Sequence, residues 1–191
     1  RDEIIVATKL VNTGNLSEKI SERESCGFIR KYTPLGSVKK NSVFQLIDNY
    51  ILFYYQFVHG NNSQDENYWT NQINTNRINV WQGLAFERVC LLHVNQIKKK
   101  MGISGVLSEN YSLICKADAD KGIHVSQIDL LIVRKDQIIN LCEMKYYNAD
   151  YVTNENEYMK IQTRINDLRI TSKTRCAIHP ILITTYGLVP N

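Results

Sequence analysis

The chain has 191 residues, 43% of them apolar and 22% charged, with a formal net charge of +4. That length can bury a real core in one domain or two small ones, and no run approaches the length and apolarity of a membrane span. The mild positive charge permits a polyanionic partner without demanding one, and five cysteines with no Cys-x-x-Cys pair argue for reduced core thiols in a cytoplasmic protein rather than a disulfide framework.

The chain opens on Arg1 directly in helical pattern, as expected of a piece of a longer protein, and it carries neither a signal peptide nor a Walker loop. Asp2 to Leu10 and Leu16 to Ser25 predict two short helices, the second closed by Cys26-Gly27. Phe28 to Tyr32 and Ser42 to Ile47 flank a Pro34-Leu35-Gly36-Ser37 turn and predict a β-hairpin. Helix, helix and hairpin together resemble the later part of a winged helix. The second helix bears Glu18, Glu22 and Glu24 against Lys19 and Arg23, a poor surface for phosphates. Arg30, Lys31, Lys39 and Lys40 on the hairpin make the better basic cluster for nucleic acid, although such a cluster also suits a solvated strand edge.

Asp48 to Val58 reads as an aromatic helix with a core role, completing a first domain over 1–58. Residues 59–79, rich in Asn and Gln after Gly60, read as a linker, and 80–191 as the second domain. Val80 to Gly102 is the longest predicted helix, ending in Lys98-Lys99-Lys100, which complements a helix C-terminus. Within it Glu87 has Val80, Gly83, Leu84, Cys90, Leu91 and Val94 as helical neighbours. A carboxylate in such a stripe needs a partner: an arginine, a core hydrogen bond, or a charged site. Gly105 to Lys116 predicts a strand, and Asp118 and Asp120 in the following loop complete no calcium pattern.

Gln127 to Tyr147 predicts two apolar strands around a polar turn at Lys135-Asp136. Side chains alternate along a strand, so Glu143 and Lys145 project from one face. Hairpin pairing then brings Asp129 towards them, and two carboxylates with one ammonium in a low-dielectric setting invite a divalent cation. Thr153 to Ile170 predicts a helix with Tyr158, Ile161, Ile165 and Leu168 inward and Lys160 and Arg164 on a more polar side. Cys176 to Leu188 predicts a last strand, with Pro180 demanding an edge or a bulge.

From residue 80 the order is helix, three strands, helix, strand, bearing Glu87, Asp129 and Glu143-Met144-Lys145. This resembles the PD-(D/E)XK nuclease superfamily over about residues 80–188, with Ile128 where the family name has proline. The phrases ESCGFIRKYTPLG, VFQLIDNYILFYYQFV, WQGLAFERVC and QIDLLIVRKDQIINLCEMKY are similar to the C-terminal region of a family of prokaryotic AAA+-type ATPases. The resemblance implies an α/β (α+β) protein. A partial winged helix is followed by a restriction-endonuclease-like domain with a mixed central sheet flanked by helices. It also implies an N-terminal ATPase domain as partner, outside this chain. It implies a metal-dependent nuclease acting on nucleic acid, DNA foremost, and leaving 5′-phosphates. Asp129, Glu143, the Met144 carbonyl and Glu87 would hold Mg²⁺ or Mn²⁺, hard ions suited to oxygen donors. Lys145 would orient or help deprotonate water, Lys160 and Arg164 would grip phosphate, and Tyr146, Tyr147 and Tyr151 lie nearby for stacking. The competing expectation is a catalytically silent nuclease-like module that binds nucleic acid or protein.

Overall fold

The computed structural model describes residues 2–9, 14–32, 34–36, 43–73, 75–115, 118, 120, 123 and 126–189. The chain divides into two compact units, one of Arg1–Thr33 with Ser37–Tyr68 and one of Pro34–Gly36 with Trp69–Asn191. The first holds α1 (Asp2–Thr8), α2 (Gly14–Ser25), the antiparallel pair β1 (Ile29–Tyr32) and β2 (Val43–Leu46), and α3 (Asn49–Phe53). Asp48 starts α3, its carboxylate accepting the Ile51 N–H at 2.6 Å. The helix then widens into a π turn over Tyr54–Val58. In that aromatic stretch only Phe57 is deeply buried, while Tyr50 and Tyr55 are 72% and 66% exposed, so the expected core role holds for one edge of it.

The expected linker over 59–79 holds neither helix nor strand over 59–67 but is helical later: α4 (Tyr68–Gln72), at the boundary of the two units, is followed by α5 (Asn76–Leu92) of the second unit, capped by Thr75. The single long helix expected from Val80 to Gly102 is two, because His93 leaves helical geometry between α5 and α6 (Val94–Lys100). Four strands follow in the order β3-β4-β5-β6: β3 (Ser108–Cys115), β4 (Ser126–Arg134), β5 (Ile138–Lys145) and β6 (Ala177–Thr184). The first three pair antiparallel and β6 runs parallel to β5, with α7 (Glu155–Ser172) between them in the chain. The β4–β5 turn closes through Lys135-Asp136, with Arg134 clasping the Asp136 carboxylate. Pro180 sits in β6, at an end of this sheet order, where its missing N–H costs the ladder least.

The two faces of the sheet bury different sets. Leu131, Ile139 and Leu141 pack with Ile165 and Leu168 of α7. Leu130, Ile132, Cys142 and Met144 pack with Cys90 of α5 and Val94 of α6. A mixed sheet between helices is therefore the architecture of this unit. Two expected core positions lie outside: Tyr158 is 60% exposed, since α7 turns it to water, and Cys26 is exposed rather than a core thiol. None of the described helices is long and apolar enough to cross a membrane.

Candidate active site

The β4–β5 ladder fixes the hairpin register. Its last paired residues are Leu130 and Cys142, so one step further the register sets Asp129 opposite Glu143. The β3–β4 register slips at the same place: Tyr111 faces Leu131 and Leu113 faces Ile128, leaving one extra residue of β4 around Asp129-Leu130. This bulge breaks strict alternation and re-aims Asp129. The Asp129 carboxylate accepts the Gln127 side-chain amide at 2.6 Å and lines a cleft of ≈ 610 Å³ shared with Glu87, Lys160, Thr163 and Arg164.

Glu87 is half-buried on α5, although Val80 and Leu84 of its expected apolar stripe are 57% and 47% exposed. Burial raises its pKa above the ordinary value, and the charges of Asp129 and Glu143 raise it further against the opposing pull of Arg88 and Lys145. Glu87, Asp129 and Glu143 thus share one field. Glu143 itself is enclosed by cations: Lys145 Nζ lies 3.1 Å from its Oε1, and Arg164 of α7 binds its Oε2. The 3.1 Å contact also shows the two side chains of the Glu-x-Lys pair on one face of β5. Burial pulls Lys145 down, yet the hydrogen bond and charge of Glu143, then Glu157 and Tyr151, outweigh it and hold the ammonium above its ordinary pKa.

Two partners were not legible in the strand pattern. Glu157, in the first turn of α7, accepts from both Lys145 (3.4 Å) and Lys160 (3.1 Å) and is held below its ordinary pKa by those cations despite its burial. Arg164, expected to grip phosphate, lines the cleft and binds Glu143. The spacing of Glu157 and Lys160, three apart on one helix, was the available signal for the first. Nothing local announced the second.

The basic hairpin lies in the first unit. Arg30 Nε donates to Gln45 Oε1 at 2.8 Å and its guanidinium stacks on Tyr32, 5.0 Å from the ring centre; Lys31 lies 6.0 Å from the Phe44 ring. Lys39 and Lys40 fall outside the described residues.

Among the described residues no three His, Cys, Asp or Glu side chains form a ready metal cage. The donor chemistry nevertheless fits a hard divalent ion: three carboxylates in one field, one of them half-buried with its pKa raised by the other two. Compared with protein-family models, with curated proteins and with solved structures, the chain gave no significant match.

Proposed function

We propose that the second unit is a metal-dependent nuclease domain of the PD-(D/E)XK kind, hydrolysing phosphodiester bonds of nucleic acid, DNA foremost, with Mg²⁺ or Mn²⁺. The observation that supports it best is Glu87, an acid from a helix on one face of the sheet, sharing a field with Asp129 and the Lys145-bonded Glu143. Asp129, Glu143 and Glu87 would hold the ion, with the Met144 carbonyl completing the oxygen set. A bound ion supplies Lewis-acid activation of water and offsets phosphate charge. Lys145 stays protonated at neutral pH because its carboxylate partners favour the ammonium. As an ammonium it donates to developing negative charge and orients water. Lys160, 63% exposed at the cleft, holds backbone phosphate. The resemblance in sequence extends the proposal to a partial winged helix in the first unit and to an ATPase domain as partner.

The enclosure of Glu143 by Arg164 and Lys145 favours a second reading, a silent module that binds nucleic acid or protein through the same cleft. Calorimetric titration with Mn²⁺ separates the two. The nuclease reading expects micromolar-to-millimolar binding that Asp129→Ala abolishes. Arg164→Ala should bind about threefold to tenfold more tightly, because arginine and ion compete for one carboxylate. Unchanged binding in Asp129→Ala refutes the site. Lys145→Ala should then lose cleavage of plasmid and single-stranded substrates; equal trace cutting by both proteins leaves the silent module.

A further inference from the structure

A second cavity in the same unit, ≈ 300 Å³, is lined by Ile73, Asn79, Gln82, Tyr146, Tyr147 and Asn148. Its chemistry is unlike that of the acidic cleft. Among the described residues no charged side chain lines it; three amides and two phenols do, so it suits a neutral, planar, hydrogen-bonding ligand and not a phosphate. Both rings are braced. Tyr146 rests on Phe86 at 6.2 Å between centres, and Tyr147 sets its face at 89° to Tyr151 at 5.9 Å. The Tyr147 backbone N–H donates to Thr185 Oγ1 at 3.0 Å, which fixes the chain there while its side chain stays 49% exposed.

The position ties this cavity to the candidate active site. Tyr146 and Tyr147 follow Lys145 in the chain without a break, where β5 ends. Gln82 precedes Glu87 by five residues on α5, about 7.5 Å along the helix axis. α5 thus borders both sites, the cavity through Asn79 and Gln82 and the cleft through Glu87.

We propose that this cavity takes a single unpaired nucleobase of the nucleic acid whose backbone lies in the cleft, an inference that rests on the reading of that cleft given above. One tyrosine face supplies stacking, which tolerates any base. The amides of Asn79, Gln82 and Asn148 offer paired donors and acceptors to a base edge. A base within a duplex has that edge occupied and its faces covered, so the strand entering here is single, or opened at this point.

The test is fluorescence anisotropy in EDTA, where nothing is cut, with a labelled single-stranded oligonucleotide and the blunt duplex of the same sequence. Gln82→Ala and Tyr147→Leu, each verified to melt like the wild type, should weaken single-strand binding about tenfold and change duplex binding less than about twofold. Lys160→Ala should weaken both. Wild-type binding to the single strand that neither pocket variant weakens overturns the pocket and leaves the cleft standing, as does equal weakening of strand and duplex. A wild type that binds neither form, in EDTA or with Mn²⁺ present, overturns the cleft reading and the pocket with it.

Discussion

Glu87 carries its proton more readily than a surface glutamate, because burial and then Asp129 and Glu143 disfavour its charged form, with Arg88 and Lys145 opposing them. The folded state therefore binds more protons than the unfolded chain from the ordinary value near 4.5 upward. Stability from this group is fully present below that value and is lost as pH rises through the folded pKa. Urea unfolding without metal, followed by Trp69 and Trp81 in the second unit, should show the wild type losing stability over this interval. Glu87→Gln should lose less. Parallel profiles would mean that Glu87 lies outside the field of the other two acids. The acid itself was legible as an anomaly in an apolar stripe, although its burial has another source, since Val80 and Leu84 face water. Its surroundings were less legible. Arg164 reaches Glu143 from a separate element, and a helical cation does not announce which strand it meets.

At the scale of elements, α7 is what holds the site's second wall. Leu168 is 0% exposed in the core under Leu131 and Leu141, and the neighbouring Asp167 is equally buried, accepting the Ser126 hydroxyl at 3.0 Å. Ser126 opens β4 three residues before Asp129, so this bond pins α7 to the strand that carries the acid. Leu168→Ala should cost about 2–5 kcal/mol. Ser126→Ala should cost only about 1 kcal/mol, and Asp167→Ala more than Ser126→Ala because it empties a fully buried position as well as removing the bond. The measure is the urea midpoint at constant m; equal small losses would place Asp167 outside the anchoring contact. The strands of this unit were readable because β-branched runs end at charged turns, as at Lys135-Asp136. The helical region was not. The break at His93 has neither glycine nor proline to mark it, and the Asn-rich stretch before Val80 becomes helix once Thr75 caps it. Sequence alternation also missed the bulge at Asp129-Leu130, a tertiary slip between two ladders that no single strand encodes.

For the whole molecule, a net charge of +4 would suggest a broad electrostatic grip on nucleic acid, but several of the cations already have occupations. Arg164 and Lys145 serve Glu143, Arg134 clasps Asp136, and Arg30 stacks within its hairpin. Two cations line the cleft, Lys160 and Arg164, and without metal Arg164 stays on Glu143. If Lys160 alone carries the phosphate contact, few counterions are released on binding. The logarithm of single-strand affinity should then fall against the logarithm of salt concentration with a slope of about −0.7, one contact at about −0.7. Anisotropy across a potassium chloride series in EDTA measures it, and Lys160→Ala should bring the slope close to zero. A wild-type slope of about −4 or steeper would assign the grip to a different surface. The Lys98-Lys99-Lys100 run closing α6 is the densest alternative in the second unit, and the slope would then be insensitive to Lys160.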